Sequence, residues 1–382
     1  MILYLYVAFI SLSSISLILT KKSNILILFL QFFIICLILG GRYETGVDWI
    51  NYIKLFNNVA SFGESGFYYF LLFFKTLSFD YWHIISIITI INLFTIIILS
   101  WRISPYPSIL FTFLIFFQWI YFNENVRQML ATSIVYLSLF IFFKKNHLNL
   151  YKYTIFVIAS CFFHSSSIIL LSLIIYKSIL KRINLILFIY IIVFILNISG
   201  LNPLYILNYI PIENIYFTKF IHYLANDKLE LTFGFLFRTI IFLFFLLYYN
   251  KFRENAIKNN ISKISFEITA YFYIIFSLID VIFLQSVLVR LRFQNTLSPF
   301  YFAILTYLII SKDIILRLIK NFILIFYVTL SFYKTITSDI GQNFYNINVN
   351  YWLQSKRDID KNHQYRLNKV IEFWNNTNEK KQ

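Results

Sequence analysis

The chain has 382 residues, 59% of them hydrophobic and only 13% charged, with a formal net charge of +16. Apolar runs of about 20 residues recur along it, which excludes a soluble globular protein, and they are too long and too uniformly apolar for the alternating strands of an outer-membrane barrel. The excess of lysine and arginine falls mostly in short segments between these runs, where cytoplasmic loops collect positive charge, so no nucleic acid is expected as a partner.

In chain order the apolar runs are 1–20, 23–41, 81–100, 108–122, 125–143, 183–199, 234–250, 264–284, 293–311 and 315–335, with 152–177 a separate case. They predict an all-α, polytopic integral membrane protein with about 10–12 transmembrane helices. The first run lacks a basic leading region and a small-residue cleavage site and is expected to be a retained span. About half of the lysines and arginines lie at Lys21–Lys22, Arg102, Lys144–Lys145 with Lys152, Lys177 to Arg182, Lys251 to Lys263 and Lys312 to Lys320. Placing all of these in the cytoplasm leaves residues 42–80, 123–126, 200–233 and 285–292 outside.

That topology requires 152–177 to begin and end on the cytoplasmic side. Its sequence, KYTIFVIASCFFHSSSIILLSLIIYK, is short for two spans and has a polar HSSS at its centre. Two half-length helices meeting at His164 to Ser167, a broken hairpin reaching into the protein interior, satisfy the charge rule, because non-helical backbone at depth is tolerated where protein or a water-filled cavity surrounds it. The alternative is one tilted span with Lys181–Arg182 outside. Residues 61–80, rich in Tyr and Phe, predict a helix lying at the outer interface. The largest outer loop is 200–233, with Pro203 and Pro211 as breaks. A single transmembrane domain over 1–335 and a polar tail over 336–382, placed outside by the span count, complete the organisation. Cys36 and Cys161 sit in apolar surroundings and are expected to be small core residues.

Charge near a bilayer is costly and usually has a task. Apart from the loop lysines, the chain offers Arg42, Asp48, Glu124, Arg127, His164, Arg238, Asp280, Arg290 and Arg292, and all but His164 fall on the outer side. Arg42 and Asp48 flank Gly46, as a local ion pair or as part of a site. Asn125 and Gln128 have the spacing of a capping box, which puts Arg127 in a first helical turn beside free N–H groups that favour an anion; an Arg127–Glu124 bridge is the alternative. Arg290 and Arg292 share one side if their backbone is extended, a fork suited to phosphate oxygens, and Asp280 could neutralise one of these arginines. His164 is either a packing residue or a base. The other histidines form no metal-ligand spacing, there is no nucleotide-binding motif, and no metal or cofactor is expected. Arginines in several outer segments suggest a site for a membrane-borne polyanion such as a lipid pyrophosphate.

The runs GRYETGVDWINY (Gly41 to Tyr52), NVRQMLA (Asn125 to Ala131) and ASCFFHSSSII (Ala159 to Ile169), in that order, resemble the EpsG and Wzy group of bacterial O-antigen, capsule and exopolysaccharide polymerases. The resemblance implies a multi-pass protein of the bacterial cytoplasmic (inner) membrane. It passes a growing glycan from undecaprenyl pyrophosphate to the non-reducing sugar of a lipid-linked repeat unit on the outer face, with inversion. The implied partners are the undecaprenyl-pyrophosphate-linked oligosaccharide, membrane lipids and a chain-length regulator. By the same resemblance Arg42, Arg127 and Arg290, with Arg292 and Arg238, would hold pyrophosphate and sugar, and Asp48 or His164 would be the general base. An O-antigen ligase-type transferase is the nearest rival, although a 34-residue loop is modest for one. A lipid-linked oligosaccharide flippase should show repeat symmetry and charges at several depths, and this chain shows neither.

Overall fold

A computed structural model describes residues 2–18, 24–58, 64–145, 147–199, 201, 231–310, 314–345, 350, 352 and 363–379. Most of the expected outer loop 200–233, with Pro203, Pro211 and His222, lies outside the described residues, as do Lys21–Lys22 and Lys312. Among the described residues all the regular elements are helices, with one isolated antiparallel bridge between Arg42 and Asn350. The protein is an all-α polytopic membrane protein.

The elements follow the apolar runs. Helices α1 (Ile2–Ser16) and α2 (Asn24–Ile35, continued as a π-helical turn to Gly40) come first. Short helices α3 (Trp49–Asn58) and α4 (Ser65–Thr76) follow. The central group is α5 (Tyr81–Ile103), α6 (Pro107–Phe117), α7 (Trp119–Glu124) and α8 (Val126–Lys144). The segment α9 (Leu150–Cys161), a 3-10 helix (Ser165–Ile175) and α10 (Tyr176–Leu180) leads to α11 (Ile183–Ile198). Then come α12 (Phe233–Leu247), α13 (Tyr249–Lys258), α14 (Lys263–Ile282), α15 (Val287–Ile309), α16 (Ile314–Thr337), α17 (Asp339–Phe344) and α18 (His363–Glu379).

Among the described residues four helices are long and apolar enough to cross a bilayer alone, and six if two sharply bent pairs each count as one span; four shorter apolar helices join them. The difference from 10–12 has two physical causes. Several helices have only 11 to 16 residues, about 17 to 24 Å at 1.5 Å per residue, against a hydrocarbon core of about 30 Å. In addition, α15 spends its first turns on Arg290, Arg292, Gln294 and Asn295.

Small and polar side chains bind the central helices. Asn92 of α5 donates Nδ2 to the Met129 carbonyl at 2.8 Å, to Ser133 at 3.0 Å and to Thr132 at 3.2 Å on α8. Gln31 of α2 bonds Thr112 and Ser108 of α6. In lipid, where apolar surfaces gain little by meeting each other, such bonds and close packing hold helices together.

Segment 152–177 is a broken hairpin. The Tyr153 hydroxyl donates to the Leu170 carbonyl at 2.9 Å, a contact that a straight span would separate by about 25 Å. Chain reversal occurs at Phe162 to His164, where His164 takes an extended backbone (φ −160°, ψ 121°) before the serines. The 11-residue return arm is 3-10 helical, rising about 2 Å per residue in place of 1.5 Å. This stretches a segment otherwise short for a return trip. The tip is met by α4: the Gly66 N–H donates to the Phe162 carbonyl at 3.0 Å, and a Cβ on residue 66 would lie 2.8 Å from that oxygen. Only glycine allows so close an approach.

Candidate active site

Glu64, the last residue before α4, receives the hairpin tip. Its Oε1 accepts from His164 Nδ1 at 2.8 Å and from the Ser165 N–H at 3.3 Å, while Oε2 accepts from Arg127 Nη1 at 2.7 Å. Burial alone would raise this carboxyl. The hydrogen bond and charge of His164, the Arg127 guanidinium and the Ser165 amide outweigh it and hold Glu64 below the ordinary glutamate value. Through this bond Glu64 orients the ring by Nδ1, so that in the neutral imidazole the proton sits on Nδ1 and Nε2 is the accepting nitrogen. Arg127 also reaches the Tyr52 hydroxyl at 3.3 Å and lies over that ring at 5.7 Å.

The loop between α2 and α3 is shaped by Glu124 at the end of α7. Its carboxylate accepts from the Val47 N–H at 2.6 Å and the Asp48 N–H at 3.1 Å. Gly46 makes this possible: its φ is +93°, and a Cβ there would sit 2.5 Å from Glu124 Oε1. Burial and the neighbouring charge of Asp48 push Glu124 up to about 7, against the lowering hydrogen bonds of Val47, Tyr345 and Asp48. From above, α18 closes on the same loop. Glu44 binds His363 and accepts from Arg366 Nε at 2.6 Å, and Trp374 Nε1 donates to the Val47 carbonyl at 3.0 Å. Trp49, Ile50 and Val370 form a small apolar cluster there. Helix α18 of the polar tail therefore lies at the same end of the molecule as this loop.

Between these parts opens a cavity of about 880 Å³. Asp48, Arg127, His164 and Arg292 line it, with Glu64, Tyr52 and Gln128. Four of the seven residues singled out from the sequence thus meet in one space, although they come from four separate segments. Burial raises the Asp48 carboxyl, against the charges of Arg127 and Arg292 and a hydrogen bond with Asn51. On the hairpin side the wall is Ile158, Cys161 and Phe162, of which Ile158 and Phe162 are largely exposed.

Three predicted residues lie elsewhere. Arg42 is buried beneath the loop, with Nη1 donating to the Leu39 carbonyl at 2.6 Å and to Thr89 at 2.7 Å. Arg238 makes a two-pronged bond with Asp280 (2.6 and 3.0 Å), and Arg290 approaches the same carboxylate at 3.8 Å. Asp280 thus meets two arginines.

Several local expectations give way to longer-range partners. Arg290 and Arg292 do not share a side: both lie in helical α15, which turns Arg290 toward Asp280 and Arg292 into the cavity. The Asn125 side chain makes no cap bond, and Gln128 instead ties α8 to α15 through the Arg292 carbonyl at 2.5 Å and Thr296 at 2.8 Å. Arg127 pairs with Glu64 because Glu124 is occupied by the loop amides. Glu64 itself was missed. The available signal was an acid set between Gly63 and Gly66 at the start of an aromatic helix, which sequence reasoning absorbed into the interfacial segment. Among the described residues no group of three or more His, Cys, Asp or Glu side chains could hold a metal ion.

No curated protein and no solved structure matches the chain. The family model of the EpsG family matches residues 24–349, a stretch that contains every residue of the cavity. Covering most of the chain, that match shows that the protein belongs to the EpsG family.

Proposed function

We propose that the protein is a membrane polysaccharide polymerase. It transfers a growing glycan from undecaprenyl pyrophosphate to the non-reducing-end sugar of a lipid-linked repeat unit at the outer face of the cytoplasmic membrane. Membership in the EpsG family supports the general class of activity. The observation that carries the finer reading is the meeting of Arg127 and Arg292 with a carboxylate-oriented His164 in one cavity. That combination supplies cations for a phosphate leaving group and a base for an attacking hydroxyl.

In this reading Nε2 of His164 takes the proton of the acceptor hydroxyl as its oxygen attacks the anomeric carbon. The new C–O bond forms on one face while the bond to the pyrophosphate oxygen breaks on the other, with inversion, and its electron pair leaves with undecaprenyl pyrophosphate. Arg127 and Arg292 stabilise the charge that develops on that oxygen. Glu64 holds His164 in the accepting tautomer and Arg127 in place. Asp48 is the second candidate base. The apolar, exposed flank at Ile158 and Phe162 suits a polyprenyl chain that stays in the membrane. Arg238 and Arg290, held by Asp280, brace α12 and α14 against α15.

The test is complementation of a polymerase-null strain of the source organism, with the surface glycan displayed as a length ladder. Wild type restores the ladder, and Arg127→Ala, Arg292→Ala and His164→Ala, at equal membrane levels, leave single repeat units. A wild-type chain that restores nothing while single units still reach the surface contradicts the proposal.

A further inference from the structure

A second cavity, of about 690 Å³, lies between the α10–α11 and α12–α13 breaks. Ser165 lines the first cavity and Tyr176 the second, and the 11-residue 3-10 arm between them spans about 22 Å; the second cavity therefore sits at the end of the bundle opposite the candidate active site. Four cations line it, Lys177, Lys181, Arg182 and Arg253, against the single carboxylate of Glu267. Glu267 is already engaged, by Arg253 Nη2 at 3.5 Å and by Lys263 at 4.0 Å. The Nε of Arg253 is buried without a hydrogen-bond partner.

The backbone is built to gather this charge. Both sharply bent helix pairs have their breaks at the cavity: the segment ending at Leu180 turns by 116° into α11, and α12 turns by 82° into α13. Each bend falls where an apolar helix gives way to a basic segment, Lys181–Arg182 in one case and Lys251 to Arg253 in the other. Helix α11 also begins at the rim, since Ile183 and Asn184 line the cavity, and first-turn N–H groups have no partner within their own helix. Leu180, Leu246 and Leu247 add apolar surface to the lining.

We propose that this cavity binds a phosphate group, as a second anion site separate from the outer one. Four like charges in one small space repel each other, and a phosphate oxyanion relieves that repulsion while giving the Arg253 Nε an acceptor. The phosphate comes either from an anionic lipid headgroup, whose acyl chains would lie along the leucines, or from a soluble phosphate. Basic pockets between membrane helices take lipid headgroups in this way.

The experiment measures thermal unfolding, and adducts retained in native mass spectrometry, for the purified full chain in detergent. Phosphatidylglycerol, phosphatidylcholine, and inorganic phosphate against chloride at equal ionic strength are the probes. Phosphatidylglycerol is expected to raise the unfolding midpoint and to remain as an adduct, with at least about tenfold weaker apparent affinity in Lys181→Gln/Arg182→Gln and in Arg253→Gln. The Arg127→Ala/Arg292→Ala protein, altered only in the outer cavity, should bind as wild type does. A shift with inorganic phosphate alone upholds phosphate recognition and names a soluble source. Equal effects of phosphatidylcholine and phosphatidylglycerol with no response to phosphate would overturn the proposal. So would a loss confined to the outer-cavity variant.

Discussion

Glu64 joins two groups that the proposed chemistry uses separately, His164 through one oxygen and Arg127 through the other. Its removal should therefore cost more than a surface ion pair. His164→Ala is expected to lower kcat by about 10² to 10⁴. Glu64→Gln should lower it by about 10² with little change in unfolding temperature, measured as glycan elongation by purified protein. A Glu64→Gln protein with wild-type kcat would remove the orienting role. Glu124 gives the residue-scale pH effect. Its pKa is raised to about 7 in the folded chain, so its contribution to stability is complete below the ordinary glutamate value and is lost as pH rises through about 7. Glu124→Gln keeps an acceptor and carries no charge. It should unfold at a higher temperature than wild type at pH 8, with the gap closing towards pH 5; a gap independent of pH contradicts the assignment. These roles were unevenly legible in the sequence. Arg127 and His164 stood out because a charged or titratable group in an apolar chain is conspicuous. Glu64 was not, because its partners lie 63 and 100 positions away.

At the scale of elements, the hairpin and α4 form one device. The hairpin was legible because lysines at both ends of a short apolar segment leave few other routes through a membrane. The 3-10 geometry of its return arm was not legible, since Ser165–Ile175 reads as an ordinary apolar helix. Gly66 sets the contact between α4 and the tip, and Gly66→Ala should displace Phe162 and with it His164. Activity should fall at least about tenfold while the protein still inserts and stays folded, checked by the glycan ladder alongside membrane levels. Within the central group, Asn92→Leu removes three interhelical bonds and should destabilise α5 against α8 by about 0.5 to 2 kcal/mol, read by unfolding in mixed micelles. The fork expected of Arg290 and Arg292 failed for a reason that belongs to this scale: the chain there is helical from Val287, and residues two apart on a helix diverge.

Over the whole molecule, charge is sorted to two ends. One end gathers the first loop, the hairpin tip and the start of α15 around one cavity, with the C-terminal helix packed on that loop, and the opposite end gathers the basic breaks. The apolar runs made the all-helical membrane architecture plain. The return of α18 onto the loop at Glu44 to Val47 could not be read from sequence, because nothing local links residues more than 300 positions apart. Arg366→Ala/Trp374→Ala should loosen that loop and lower activity about tenfold without loss from the membrane. Unchanged activity would reduce α18 to a cover. One cavity is proposed to perform transfer from a lipid pyrophosphate. That transfer is tested most directly with the purified chain in liposomes and lipid-linked repeat units extracted from a strain that lacks it, counting linkages formed against undecaprenyl pyrophosphate released. Wild type should release one undecaprenyl pyrophosphate per linkage, and the His164→Ala and Arg127→Ala/Arg292→Ala proteins should give neither product. Elongation that proceeds equally in those variants, or no elongation by wild type, would contradict the proposal.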